Sequence, residues 1–326
     1  MRKIFILFFL FISVSYAQTK GCTDGLAENY NPKAIENDGS CEYVSTKIRV
    51  KFTKKLSDSI AETSGLITSE NLLWTHNDDM STTLYGMDTK GKIKKKINLE
   101  GVKNNEWEEI SQDSSYLYIG DFGNNIAGNR KDLYILRIEK KSILNPAPVI
   151  DTISFSYSNQ NDFDTKIEAN TTNFDCEAFV VSKDSIYLFT KQWESEKTSV
   201  YSLPKNPGTH IAKLKETLNV EGLITGATLL PQEKGVVLCG YSHFLQPFVY
   251  LLYGYKNNDF STGNKRKIKL SLLFHQIEAI TTENGLLFYV TNEATKNNFI
   301  YNPQEIHQID LSPYLKKKKK AKSLSR

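Results

Sequence analysis

After residue 17 the sequence has no run approaching the roughly 20 consecutive apolar residues that a membrane-spanning helix requires, so nothing past that point reads as a bilayer anchor. It also lacks G-x-S-x-G, H-E-x-x-H, C-x-x-C and P-loop patterns, the local signatures of serine, zinc, dithiol and nucleotide chemistry. The five histidines, at 76, 210, 243, 275 and 307, follow no metal-ligand spacing. No apolar pattern with a 3.6-residue period runs to a useful length, which leaves short strands as the expected building element. None of these features names a ligand or a reaction.

What is present starts with an export signal. "MRKIFILFFLFISVSYAQ" carries two basic residues, an apolar core from Ile4 to Val14 and the small-residue site Ser15-Tyr16-Ala17, the layout of a cleaved secretory peptide. Cleavage is expected after Ala17. Cys22 does not read as a lipoprotein site, because Thr19-Lys20-Gly21 precede it without the upstream leucine. The expected destination is the extracellular space or the periplasm. Taking Arg2, Lys3 and the seven positive charges of the terminal "KKKKKAKSLSR" from the formal +4 leaves −5 for residues 18–315. Like charges at the density of residues 316–326 repel, so that tail is expected as a solvated, disordered end. No specific nucleic-acid partner is inferred from it. The expected organisation is a signal peptide at 1–17, a small cysteine-bracketed module and linker at 18–45, a large β domain at 46–315, and the basic tail at 316–326.

Four cysteines in an exported chain raise the disulfide question. Cys22 and Cys41 bracket "CTDGLAENYNPKAIENDGSC", which is short, polar and acidic. A bridge there closes a loop of about 20 residues, worth on the order of 3 kcal/mol. Cys176 and Cys239 sit in apolar strand-like runs and are expected as free, buried thiols. With its "CTD", "NYNP" and "DGSC", the first stretch resembles a small module common in secreted bacterial proteins. Its Asp24, Glu36 and Asp38 offer the oxygen donors that calcium prefers. The D-x-D-x-D-G spacing is absent, so a stapled spacer is the stronger expectation.

Internal self-similarity points to the fold. Five segments share a plan of short apolar strand, polar turn and stronger strand. They are "SGLITSENLLWTHND" from Ser64, "EEISQDSSYLYIGD" from Glu108, "EAFVVSKDSIYLFTK" from Glu177, "GATLLPQEKGVVLCGY" from Gly226 and "EAITTENGLLFYVTN" from Glu278. Their starts are 44, 69, 49 and 52 residues apart. Further strand candidates follow, such as "TLYGMDTKG" and "KIKKKINLEG" after the first. Four-stranded antiparallel units repeated radially make a β-propeller, so the expected fold class is all-β, a propeller of five blades. Six blades would require another unit inside the 69-residue gap, where the polar loop "NQNDFDTKIEANTTNFD" is read instead. The fifth unit supplies three strands, ending in "IHQIDLS". Residues 46–57, "TKIRVKFTKKLS", are expected as the N-terminal strand that closes the ring.

"AETSGL", "LWTHNDD", "LYGMDTKG", "WEEI", "LYIGDFGNN" with Arg130 following, "CEAF", "ITGA" and "IEAI" occur in that order over roughly residues 58–295. In this the chain resembles exported bacterial propellers grouped with the TolB-like or NHL-type propellers, most of which have no assigned activity. The resemblance implies a propeller and no particular reaction. Two positions depart from it. Glu109 stands where aspartate is common, and Asn124 replaces the second aspartate of a "GDxGDN" pair, which weakens the case for a strongly anionic metal site.

If the first strand of each unit lines a central channel, Glu108, Glu177 and Glu278 converge on one ring, with Ser64 and Gly226 in the other two units and Glu62 just outside the register. The second strands end in a further polar set that includes Asp78, Asp121, Lys191, Tyr241 and Glu293. Carboxylates crowded on an axis repel, and two compensations are open. Calcium held by Glu62, Glu108, Glu177 and Glu278 is one, since calcium takes six to eight oxygens. In the other, each glutamate accepts backbone N–H bonds from the neighbouring unit, at about 1.5–3 kcal/mol each. Two function classes follow. One is a monomeric binding or scaffold propeller presenting Asp78, Asn124, Arg130, Lys191 and Glu293 at the axial rim to an extracellular protein, a glycan or a small molecule, with Trp193 gripping a sugar if exposed. The alternative is a calcium-assisted hydrolase of the phosphotriesterase, lactonase or phytase kind, with the metal as Lewis acid and His76 or Asp121 as general base. Binding is the preferred reading.

Overall fold

The computed structural model describes residues 19–78, 81–163, 168–296 and 301–315; the expected signal peptide and basic tail lie outside the described residues. Runs rich in Val, Ile, Phe, Tyr and Thr, punctuated by Gly, Asn and Asp, form short strands, as that composition favours. Among the described residues the strands group into five consecutive units, with the short pair Thr295–Lys296 and Tyr301–Asn302 outside them. Unit one is Thr63–Ser69, Leu72–Asn77, Thr83–Met87 and Ile93–Asn98, and unit two is Trp107–Gln112, Tyr116–Asp121, Leu133–Glu139 and Ile150–Tyr157. Unit three is Asp175–Val181, Ser185–Lys191, Lys197–Pro204 and Gly208–Asn219, and unit four is Leu223–Leu229, Gly235–Tyr241, Pro247–Tyr253 and Asn264–Leu270. Unit five is Ile277–Thr282, Leu287–Asn292 and Glu305–Asp310, completed by Phe52–Lys55, which pairs antiparallel with the last of these.

The first, inner strands pack in sequence, one on two through to five, and five packs back on one. The apolar core is divided between successive units. Trp74, Trp107 and Ile119 fill the space between units one and two, and Phe122, Phe155 and Phe179 that between two and three. Phe189, Phe248 and Phe260 lie between three and four, Val249, Ile280 and Phe288 between four and five, and Leu73, Tyr85 and Tyr289 between five and one. Phe122 meets Phe179 edge-on, with ring centres 5.7 Å apart, an arrangement the ring quadrupoles favour.

Outer strands expose unpaired N–H and C=O groups, and each edge is managed differently. Ile150–Tyr157 pairs parallel with Gly208–Ala212, so units two and three fuse into one eight-stranded sheet whose end strands also touch. Thr46–Ile48 covers unit four by parallel pairing with Ile268–Leu270. The edge of unit one, "IKKKIN", exposes Lys94, Lys95 and Lys96, charges that oppose further pairing. The single closing strand predicted at 46–57 is therefore corrected to two short strands on different units, joined by Arg49-Val50-Lys51. One continuous strand would have left the edge of unit four unpaired.

Cys22 and Cys41 form the predicted disulfide. Cys176 and Cys239 are free and buried, in different core layers. The stapled module is docked on unit four. Asp24 Oδ2 accepts the Tyr43 and Tyr253 hydroxyls at 2.8 and 2.6 Å, Glu36 pairs with Lys256 at 3.5 Å, and Asp38 accepts the Ser40 N–H at 3.0 Å. All three acids raised as calcium donors thus hold protein donors. Among the described residues no helix is long and apolar enough to cross a membrane.

Candidate functional site

In every inner strand the pairing with its neighbour slips at the same place. The slips fall between Ser64 and Ile67, Trp107 and Glu109, Cys176 and Ala178, Ile224 and Gly226, and Ile277 and Ala279. A bulge leaves its extra residue out of the ladder and re-aims the side chain. Glu108, Glu177 and Glu278 are such residues. In unit four the equivalent position is Thr225, one residue from the predicted Gly226; in unit one the slip spans both Gly65 and Leu66, and the predicted Ser64 lines the same pocket as the glutamates. Gly65 has φ +66, and a Cβ there would lie 2.6 Å from the Ile110 nitrogen, so the slip in unit one requires glycine at that position.

Glu108, Glu177 and Glu278 line a pocket of about 220 Å³ with Asp78, Lys191, Trp193, Tyr241, Gln276 and Glu293. Glu108 fits because residue 123 is glycine: a Cβ there would sit 2.0 Å from its Oε1. The Lys191 Nζ lies 3.1 Å from Glu177 Oε1 and 4.4 and 5.4 Å from the Trp193 and Tyr241 ring centres, so one carboxylate and two aromatic faces cage the amine. Behind Glu177, the fully buried Asp175 accepts Trp193 Nε1–H at 2.8 Å and the Asn124 N–H at 2.7 Å. Burial, and then the nearby Glu177 carboxylate, hold the Asp175 carboxyl well above its usual range.

Burial raises Glu108 well above the usual carboxylate range, and Glu177 and Asp175 reinforce it. Glu278 is raised well above that range too, by burial against the opposing pull of Lys191. Asp78 is pushed up to about 8, by burial first and then by Glu293 and Glu62. Burial works against the charge on Lys191, but Glu177 and its neighbours overcome this and hold the amine protonated. The pocket therefore combines one cation with carboxyls that hold their protons more tightly than exposed carboxyls do.

Other predicted site residues do other work. Glu62 is exposed and outside the pocket lining. His76 is fully buried, edge-on to Trp107 at 5.6 Å, with its Nδ1 3.0 Å from the Asn77 carbonyl. Burial lowers it to about 4, and it lies off the pocket. Asp121 accepts from Arg130 Nη2 and the Tyr134 hydroxyl at 2.8 Å each and from the Asn105 N–H at 3.0 Å. Asn124 accepts the Arg130 backbone N–H at 3.0 Å, and Arg130 donates to the Gly123 carbonyl at 2.8 Å. His76 and Asp121 are thus corrected from base candidates to structural groups. Asn124 and Arg130, expected to face a ligand, fasten the loop after Tyr116–Asp121 instead.

Of the expected metal carboxylates, Glu108, Glu177 and Glu278 share the pocket, but no three of the four bring donor atoms within 4.8 Å of one another. Among the described residues, the group whose donor atoms lie within 4.8 Å of one another is His275, Glu305 and His307. The backbone-acceptor role falls to Glu109. Its Oε2 accepts the Ala227 N–H of unit four at 2.8 Å and its Oε1 the Ile110 N–H at 3.0 Å. Asp175 was legible in "DCEAF", since residues two apart share a face of a strand; nothing local distinguished Glu109 from Glu108.

No protein-family model and no curated protein matches the chain. Among solved structures it is similar to a chain of Kuenenia stuttgartiensis hydrazine synthase, at 9% identity over 78% of this chain and 68% of that one, TM-score 0.40. It is also similar to a chain of the mitotic checkpoint complex, at 8% identity over 80% and 95%, TM-score 0.42. A third is the tricorn protease, at 6% identity over 80% of this chain and 22% of that one, TM-score 0.33. Likenesses this distant identify neither a family nor a site.

Proposed function

We propose that this chain is a five-bladed β-propeller of the exported bacterial kind, closed by Phe52–Lys55, that binds a small organic cation in its axial pocket. The ring of packed inner strands and the four-stranded units support the architecture, and the disulfide fits an oxidising compartment. The lining carries the ligand class: Asp78, Glu108, Glu177, Glu278 and Glu293 surround the single Lys191. An entering ammonium or guanidinium group replaces the protons that burial keeps on these carboxyls, beside the aromatic faces of Trp193 and Tyr241. At about 220 Å³ the pocket is smaller than the roughly 300–1,000 Å³ of drug-sized sites, which favours a metabolite-sized ligand. The calcium-assisted hydrolase is the weaker alternative, because no three of its metal carboxylates bring donor atoms within 4.8 Å of one another and both its base candidates lie off the pocket.

Calorimetric titration with methylammonium, putrescine, agmatine, arginine and calcium chloride at pH 6 and 8.5 tests the reading. At least one organic cation is expected to bind, more tightly at pH 8.5 and with proton release, and Glu278→Gln is expected to weaken it by about tenfold, 1.4 kcal/mol. Binding by none of them, or equal binding by Glu278→Gln, overturns the proposal. Calcium binding that Glu278→Gln abolishes would restore the hydrolase.

A further inference from the structure

We propose that His275, Glu305 and His307 form a zinc site in unit five, separate from the acidic pocket. His275 lies just before the inner strand Ile277–Thr282, and the other two lie on Glu305–Asp310. The donor atoms of all three fall within 4.8 Å of one another. His275 Nε2 is 3.3 Å and His307 Nε2 3.9 Å from Glu305 Oε2. Zinc–ligand bonds of about 2.0–2.2 Å place tetrahedral donors roughly 3.4 Å apart, so metal binding must draw the donors together, by up to about 1.4 Å for the widest pair.

The hydrogen bonds indicate why a cation belongs there. His275 Nδ1 lies 2.7 Å from the Leu273 carbonyl, an acceptor, so that nitrogen carries the proton. The lone pair of Nε2 then faces a carboxylate oxygen, and two acceptors in contact need either a second ring proton or a metal between them. Holding the outer nitrogen of a ligating histidine on a backbone carbonyl is also how proteins orient such ligands. His307 Nδ1 is 2.8 Å from the Thr53 hydroxyl, and its Nε2 is 2.8 Å from Asn292 Oδ1. Both amide hydrogens of Asn292 go to carbonyls, of Glu293 and Pro303, so Oδ1 is correctly an oxygen and Nε2 of His307 donates to it. Zinc takes that nitrogen by a change of tautomer. The proton moves to Nδ1, the Thr53 hydroxyl turns from donor to acceptor, and no proton is lost from the ring. Asn292 Oδ1 then stands at the fourth position. Two imidazoles with oxygen donors suit zinc over calcium or magnesium, which prefer oxygen alone. Because Thr53 belongs to the closing strand, the metal would tie the entry of unit five to the strand that completes it.

The test uses purified protein stripped with EDTA, reloaded with zinc, passed through gel filtration and analysed for metal. Cobalt replaces zinc for absorption spectra. A single zinc per chain and a tetrahedral cobalt spectrum are expected. His275→Ala and Glu305→Gln should weaken binding by more than about tenfold, the loss that even an outer hydrogen-bond partner's removal can bring, while His210→Ala, at a histidine elsewhere, changes nothing. Both replaced side chains are partly exposed, and a β-type circular dichroism spectrum checks folding; should His275→Ala not fold, Glu305→Gln decides. Retention of less than one zinc at saturation, or wild-type affinity in the folded variants, overturns the site and leaves an imidazolium–carboxylate pair only.

Discussion

Glu108 and Glu109 are adjacent, both buried, and opposite in role. Glu109 pairs in the ladder opposite Gly120, and backbone N–H groups of units two and four converge on its carboxylate. Glu108 is the bulge residue and faces a pocket shared with four other acids. In units three, four and five the Glu109 position is Ala178, Gly226 and Ala279, so one long side chain reaches across where the others are small. The difference teaches how to separate a fastening from a site. A buried carboxylate that the backbone satisfies is part of the frame, whereas one facing other carboxyls is held in a costly arrangement that a ligand relieves.

The comparison can be broken most directly at Glu109. Glu109→Ala leaves the Ala227 and Ile110 N–H groups without that acceptor, at about 1–3 kcal/mol each, and is expected to lower urea-unfolding stability by about 3–5 kcal/mol. Glu108→Gln should cost little stability while weakening cation binding; similar stability losses in both would erase the distinction. Next in size is Lys191→Met. Removing one member of a buried pair costs about 3–5 kcal/mol, and here the loss should be greater at pH 8 than at pH 6, where the carboxyls take up protons; a pH-independent loss would count against the proton-retaining pocket.

Third comes the pH dependence of the wild type. Asp78, raised to about 8, binds its proton in the folded state and loses it near 4 when unfolded, so its contribution to stability declines as pH rises between those values. His76 and His307, lowered to about 4 and 3, act the other way, but only below their unfolded value near 6.5. Between pH 6.5 and 8 stability should therefore fall, and Asp78→Asn should remove up to about 1.4 kcal/mol per pH unit of that slope. A wild-type slope that Asp78→Asn leaves unchanged would show that Asp78 is not its source. The smallest effect is Ser64→Ala. It removes the bond from Ser64 Oγ to the Glu108 carbonyl, 2.6 Å, and should cost about 1 kcal/mol; Ser64 also lines the pocket, but it carries no charge, so cation affinity should change less than in Glu108→Gln.

Strand positions, the repeat, the Cys22–Cys41 staple and the buried thiols were legible in the residues, because alternation, turn residues and burial of a small thiol are local properties. So were Glu108, Glu177, Glu278, Asp78, Lys191 and Glu293 as members of one polar set. The roles of His76, Asp121, Asn124 and Arg130 were not, since neighbours distant in sequence took up their hydrogen bonds. The His275–Glu305–His307 group escaped notice because 30 residues separate its first two members, a spacing that means nothing until two strands meet.

The sequence by itself determined that the chain is built of short β-strands and which residue types those strands carry toward their inner ends. Tertiary structure alone decided that units two and three share a sheet through Ile150–Tyr157 and Gly208–Asn219, and that residues 46–57 divide between two edges. It also decided that the ladder slips at Glu108, Glu177 and Glu278 and leaves Glu109 in register. The physical reason is that hydrogen-bond register, edge pairing and a bulge are relations between two strands, so no single strand's residues encode them.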